Sequence, residues 1–285
     1  MKSLREYVQE AAGENRAIGH FNFSNLEGLW AIVRAAQAAG QPVIVGTSEG
    51  ERDVVGRNQA VALVRSIREE LGHPIFLNAD HHYSVESVKA AIDAGYDSVI
   101  FDGAKLSLEE NIAQSKECVA YARASGRDVV VEVELGYIGQ GSNVLDGVPE
   151  GVMLDNLTKP EDAKRLIAET GADLLAPAVG NIHGMFKGGV DPRLDIARIA
   201  EIREAAGVPL VLHGGSGNDA DFGAAIEAGM AIVHINTELR ATYTRALKLF
   251  LQENPDETTP YKYGKAAGAA MQKVAEEKIK TFARL

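Results

Sequence analysis

Residues 74–104 read PIFLNADHHYSVESVKAAIDAGYDSVIFDGA, and three parts of that stretch have different hydrophobic patterns. PIFLNA (74–79) is a short apolar run of strand type, and SVESVKAAIDA (84–94) spaces its apolar residues as an amphipathic helix does. SVIFD (98–102) is apolar and β-rich again. Gly95 falls between helix and second strand, where a residue tolerant of the left-handed conformation closes a helix. The stretch therefore predicts strand–helix–strand, the repeating unit of a parallel sheet. Each strand ends in polar residues, Asp80-His81-His82 in one case and Asp102-Gly103 in the other.

The same pattern recurs on both sides. Strand-type runs lie at 17–23, 42–47, 128–135, 173–179, 209–213 and 231–235, with helical patterns at 26–39, 57–71, 107–124, 160–170, 193–206 and 218–228. Gly40, Gly171 and Gly207 repeat the glycine stop signal. Eight strands favour a closed (β/α)8 TIM barrel over the alternative, an open doubly wound sheet. Residues 237–284 read as a long helix, a turn at 255–260 with Pro and Thr, and a closing helix. The expectation is one α/β barrel domain over 1–285 with an extra C-terminal helix.

Composition narrows the function. The 285 residues are 46% hydrophobic and 24% charged, enough for a large core. A net charge of −11 argues against a nucleic-acid surface, which needs clustered Lys and Arg, but leaves room for a few groups that hold one phosphate. Cys118 is the only cysteine, so neither an internal disulfide nor a cysteine zinc cluster is expected. The N-terminus, MKSLREYVQEAAGENRA, lacks the apolar core of a secretory signal. With no apolar run near the roughly 20 residues that cross a bilayer, the expectation is a cytoplasmic protein with no membrane partner.

In a barrel of this kind the active site lies where the strands end. Ser48 follows strand two, Asp80-His81-His82 end strand three, Glu134 ends strand five, and Asn181-Ile182-His183-Gly184 follow strand six. His213-Gly214-Gly215-Ser216-Gly217 end strand seven, and Asn236-Thr237 end strand eight. His81, His183 and His213 thus share one rim, and three neutral imidazoles with an open position suit a catalytic zinc ion. One strand-end histidine is more often a structural hydrogen-bonder; three beside Asp, Asn or Gly reverse that preference. His20 and His73 read as structural, and His82 competes with its neighbour His81 for one role.

Glycine runs at 184–189 and 214–217 offer backbone N–H groups beside two of those histidines, with Lys187 and Ser216 inside them. A glycine run alone marks only a tight turn; its place after strand seven, beside a helix start, favours phosphate. No strand pattern contains a lysine, and Lys105 alone lies near the rim, which disfavours Schiff-base chemistry.

These residues resemble the class II ketose-bisphosphate aldolases of the fructose- and tagatose-bisphosphate type. Nearly the whole chain carries the resemblance: GHFNFSNLE (19–27), VIVGTSEG (43–50), LNADHH (77–82), SVIFDGA (98–104), VEVELGYIG (131–139), VGNIHGMFKGG (179–189), LHGGSG (212–217) and INTELR (235–240). It implies a zinc-dependent aldol cleavage of a ketose 1-phosphate or 1,6-bisphosphate to dihydroxyacetone phosphate and an aldehyde. It implies His81, His183 and His213 as zinc ligands with Glu134 near the metal, and Glu132 as structural. Asp80 corresponds to the carboxylate that exchanges a proton with the C4 hydroxyl. Ser48, Gly184, Lys187, Gly214 and Ser216, with Thr237, match positions near the phosphate of the triose. Some members hold a monovalent or second divalent cation near Lys187, and Arg240 resembles an arginine that reaches a distal phosphate from a neighbouring subunit. A homodimer or homotetramer is implied.

The chain departs from that pattern at His234, where members typically carry an Asn that helps hold the enediolate, and at Asn236, where they carry Asp or Ala. The loop at 140–150 lacks their paired acidic residues. Two other readings compete: a metal-dependent barrel hydrolase, and a non-catalytic sugar-phosphate binder.

Overall fold

The computed structural model describes residues 1–152, 157–187 and 192–285. Gly188 and Gly189 of the anticipated glycine run lie outside the described residues. Eight strands build the barrel: β1 (Ile18–Asn22), β2 (Val43–Thr47), β3 (Ile75–Ala79), β4 (Ser98–Phe101), β5 (Val130–Leu135), β6 (Leu174–Pro177), β7 (Leu210–Leu212) and β8 (Met230–Ile235). They pair in chain order, all parallel, and β8 closes on β1 with Phe21 opposite Ile235. A separate two-stranded ladder, also parallel, pairs Val144–Leu145 with Met185–Phe186.

The helices are α1 (Leu4–Gly13), α2 (Leu26–Ala39), α3 (Glu49–Val55), α4 (Arg57–Leu71), α5 (Val85–Ala94) and α6 (Leu108–Ala124). They continue with α7 (Pro160–Thr170), α8 (Ile196–Ala206), α9 (Phe222–Ala228), α10 (Thr237–Glu253) and α11 (Pro260–Ala283). The stop signals act as expected: Gly40, Gly95, Gly171 and Gly207 have φ of 63°, 111°, 68° and 71°, a region costly for residues with a Cβ. Asn25, Ser84, Ser107 and Asp195 supply the opposite ends, each side chain accepting a backbone N–H of the first turn. Helix α3 was not anticipated. Its seven residues are mostly polar, and its start is fixed by Ser48, whose N–H and hydroxyl both donate to Glu51 Oε2 at 2.8 and 2.9 Å.

Strand alternation sorts the core into two parts. Outward residues such as Phe21, Val45, Leu77, Val99, Val133 and Val233 pack under the helices. Inward residues at the lower end, including Ile18, Ile44, Phe76, Val130, Leu174 and Ile232, pack with Leu4 and Val8 of α1, which plugs that mouth. One step up the same inner face, four of these six strands turn polar, while β2 and β6 continue with Gly46 and Ala176. Ile18 gives way to His20, Phe76 to Asn78 and Asp80, Val130 to Glu132 and Glu134, and Ile232 to His234, all buried. The apolar floor keeps water out from below and leaves the polar layer one opening, at the strand ends. Helix α11 packs against α2 and α10 on the outside. No helix among the described residues is long and apolar enough to cross a membrane.

Candidate active site

A cavity of about 190 Å³ opens at the C-terminal ends of the strands. Ser48, Asp80, His81, His183, Gly184, Gly214, Ser216, His234, Asn236, Thr237 and Arg240 all contribute to its wall, so most residues singled out in the sequence meet in one space. Glu134 and His213 lie just beneath, buried.

Three imidazoles converge there. Ring centroids are 4.9 Å apart for His81 and His183, 5.0 Å for His81 and His213, and 5.9 Å for His183 and His213. One ligand atom from each, with a Glu134 oxygen, all fall within 4.8 Å of one another. Ligands of a tetrahedral zinc ion stand about 3.4 Å apart, so this group is close to one coordination sphere. His213 is held from behind: its Nε2 meets Glu132 Oε1 at 2.6 Å, while Nδ1, facing the cluster, is buried without a partner. That carboxylate fixes ring orientation and tautomer, which is the usual support for a metal-binding imidazole. Glu132 is thus a positioning group for the candidate centre rather than a mere structural residue.

The charges fit an ion as well. Burial, then the neighbouring His81 and His213, lowers His183 to about 3, so it offers a neutral nitrogen at neutral pH. For His81 burial works downward, but Glu134 and Asp80 outweigh it and raise its pKa well above the ordinary value. Its Nδ1 lies 2.8 Å from Glu134 Oε1 and 3.2 Å from Asp102 Oδ2. A proton on His81 and a metal ion in the cluster would satisfy the same carboxylates, so binding one displaces the other.

Asp80 stands at the edge of the cluster. Its Oδ2 accepts from Asn22 Nδ2 at 2.8 Å, while Oδ1 is buried without a hydrogen bond, 3.7 Å from both His81 Nε2 and His234 Nδ1. Burial opposes ionisation, yet His81, His20 and His213 together with the Asn22 hydrogen bond hold the carboxyl below its usual range. Arg52 secures the backbone here. Its guanidinium donates to the Asp80 and His81 carbonyls, each at 2.8 Å, and to that of Thr47. His81 needs that support because its φ is +49°, an unfavourable conformation for a residue with a Cβ. The turn sends His81 into the cavity while His82 is buried elsewhere, with Nδ1 3.2 Å from the Ile100 carbonyl; the two adjacent histidines do not compete.

The glycine loops line the other side. Ser216 is buried, and its Oγ accepts from Glu238 N at 3.2 Å, tying the loop after β7 to the start of α10. Gly214 has φ +60°, and a Cβ there would overlap the Ile182 carbonyl oxygen in the loop that carries His183. Gly214→Ala is expected to lose about 2 kcal/mol or more of stability, read as a lowered Tm in a thermal melt. An unchanged Tm would show that the loop tolerates a side chain.

Two expected residues sit otherwise. Lys187 follows the Met185–Phe186 ladder, which turns its side chain out: it pairs with Asp146 at 2.6 Å, is 66% exposed, and does not contribute to the cavity wall. Arg240 faces the cavity of its own chain and pairs there with Glu51. Lys105 is exposed and donates at 3.0 Å to Gln140, which lines the cavity, but does not itself contribute to the wall. His73 is half-buried, 2.9 Å from the Gln41 carbonyl. The sequence reading passed over Asn22 and Arg52. Asn22 was detectable, being two residues beyond His20 on the same face of β1; nothing in the sequence marks Arg52.

Comparison with known proteins identifies the family. Residues 2–284 match the family described as fructose-bisphosphate aldolase class-II. A fructose-bisphosphate aldolase from Geobacillus stearothermophilus is 39% identical over 264 residues, covering 91% of this chain and 89% of the relative. A 6-phospho-5-dehydro-2-deoxy-D-gluconate aldolase from Bacillus licheniformis is 37% identical over 284 residues, covering 98% and 94%. Among solved structures, the YdjI aldolase from Escherichia coli K12 superposes with a TM-score of 0.81 at 31% identity, covering 99% of this chain and 97% of that one. With its parallel barrel, converging imidazoles and glycine-lined cavity, the chain belongs to the class II fructose-bisphosphate aldolase family.

Proposed function

We propose that this protein, acting as one barrel domain, is a zinc-dependent aldolase. It cleaves a ketose 1-phosphate or 1,6-bisphosphate, of the fructose type, reversibly to dihydroxyacetone phosphate and an aldehyde. His81, His183 and His213, with Glu134, would hold the ion; a nitrogen-rich set with one carboxylate suits zinc. When bound, the ion supplies Lewis acidity toward the substrate's carbonyl and adjacent hydroxyl. The observation that carries the reading is the unpartnered Asp80 Oδ1, aimed into the cavity between His81 and His234. Ionised Asp80 takes the proton from the C4 hydroxyl in cleavage and returns it to the aldehyde oxygen in condensation.

Gly184, Gly214, Ser216 and Thr237 line the side of the cavity where the N-terminus of α10 opens, and there they would receive the phosphate and hold the reacting carbons in place. Ser48 and Asn236 complete that wall, and Arg240 at the mouth would meet the far end of the substrate. Lys187 could join them only after leaving Asp146. Family membership favours the aldolase over both a barrel hydrolase and a non-catalytic binder. A cytoplasmic homodimer or homotetramer is the accompanying expectation.

The acceptor is the open part of the assignment, because relatives of nearly equal identity carry the names of different substrates. The test is cleavage of a panel of ketose mono- and bisphosphates, before and after chelation and zinc readdition, with dihydroxyacetone phosphate as the measured product. Zinc-restored cleavage of at least one member is expected. Chelator-indifferent turnover, or release of inorganic phosphate alone, would overturn the assignment.

A further inference from the structure

His20 and His234 occupy opposed positions on β1 and β8, the pair of strands that closes the barrel. Both are buried, and their rings lie parallel, with centroids 3.5 Å apart and planes 6° from each other. The column continues from His234 to His213 at 4.2 Å and 26°. Three imidazoles therefore run from the middle of the barrel wall to the candidate metal centre, and His234 is the member that reaches the cavity.

The far end of the column is anchored. Asn78 donates its amide to Ser98 Oγ at 2.8 Å, which leaves its carbonyl oxygen to accept from His20 Nε2 at 3.1 Å. The His20 proton is thereby placed on Nε2, and Nδ1 is left buried without a partner. Gly46 supplies the space: a Cβ there would overlap His20 Cε1 and Nε2. A residue with any side chain on β2 at this point would push the His20 ring out of the stack.

His20, Asp80 and His234 do bring ligand atoms within 4.8 Å of one another. Chelation is nonetheless a poor fit. Imidazole lone pairs lie in the ring plane, and two cofacial rings direct them side by side rather than to a common point. The stack suits fixing a ring plane instead. His234 Nδ1 stands 3.7 Å from Asp80 Oδ1, and on its other side the ring lies against His213. If Asp80 serves the C4 hydroxyl and His213 the metal centre, His234 lies beneath the carbon–carbon bond that breaks.

We propose that His20 and His234 work as one unit, in which His234 contacts the substrate at the C3–C4 bond and selects the configuration of its hydroxyls, and His20 is the positioning residue that holds the His234 ring. The inference rests on the aldolase reading above. It assigns stereochemical selection to a residue pair created by the closing strands, rather than to the phosphate loops or the mouth.

The experiment is condensation of dihydroxyacetone phosphate with the aldehyde released in the cleavage panel by the zinc-loaded enzyme, with the ratio of diastereomeric ketose phosphates as readout. Zinc content and thermal melts are recorded for every variant. His234→Asn is expected to change the ratio by about tenfold or more, because a site shaped to one hydroxyl arrangement leaves polar groups unpaired with another. His20→Ala should shift the ratio the same way, and His20→Phe, which keeps a flat ring in the stack, should restore it toward that of the parent. In the His234→Asn background, His20→Ala should add little, the signature of two residues acting together. A parent ratio retained in His234→Asn, or independent additive effects of the two substitutions, overturns the proposal. So does a His20→Phe that behaves like His20→Ala with zinc content and Tm intact. A zinc-loaded parent that releases dihydroxyacetone phosphate from no ketose mono- or bisphosphate of the panel overturns the aldolase reading itself, a different result from an active parent with an unmoved ratio.

Discussion

His183→Ala is expected to lower aldol cleavage roughly a thousandfold, equivalent to about 4 kcal/mol of lost transition-state stabilisation. It should also release zinc during gel filtration. Among the three imidazoles this is the cleanest to remove. His81 pairs with Glu134 and Asp102, and His213 with Glu132, so deleting either leaves buried carboxylates unpaired and endangers the fold. Among the described residues no hydrogen bond is made by the His183 ring; its neighbours are the rings of His81 and His213. The His183 backbone N–H donates to the Ile138 carbonyl at 2.8 Å, and that bond survives the substitution. A small change in Tm is therefore expected beside a large change in activity. Metal analysis and steady-state cleavage rates check the result, and a variant with full zinc and full turnover would remove His183 from the centre.

Asp80→Asn separates proton transfer from metal binding. The amide keeps the size of the side chain and can still accept from Asn22 Nδ2 through its carbonyl oxygen, but it cannot take a proton from a hydroxyl. kcat is expected to fall by about 10²–10⁴-fold, the usual contribution of a positioned general base. Zinc content and KM should change little, because Asp80 lies outside the group of four that converges on the candidate ion. The same experiment discriminates roles: a variant that loses zinc in proportion to activity would make Asp80 a ligand rather than the base. Retained kcat would transfer proton exchange to another group at the cavity.

Much of the fold was legible because it is written in local terms. A strand of alternating or continuous apolar residues, a helix of period 3.6 and a glycine that alone accepts φ above zero are properties of neighbouring residues, as in the stretch 74–104. Helix α3 was hidden because its seven residues, EGERDVV, carry no apolar period; its start depends on Ser48 and Glu51 meeting each other. The candidate site was legible to the extent that barrel geometry sends every strand end to one rim. His81, His183, His213 and Asp80 could be placed together on that ground alone.

Direction and partnership were not legible. Lys187 turns away because two residues on each of two loops, 144–145 and 185–186, form a ladder. Glu132 reads as structural until His213, 81 positions later, is found on it. His20 reads as an ordinary strand residue until β8 closes on β1 and sets it against His234. The sequence alone determined the number and order of the barrel strands, the helix stops and most of the groups at the rim, since these follow from short-range periodicity and from backbone sterics. The tertiary structure decided which groups face one another, because strand register and barrel closure join residues more than two hundred positions apart, and no local pattern encodes that pairing.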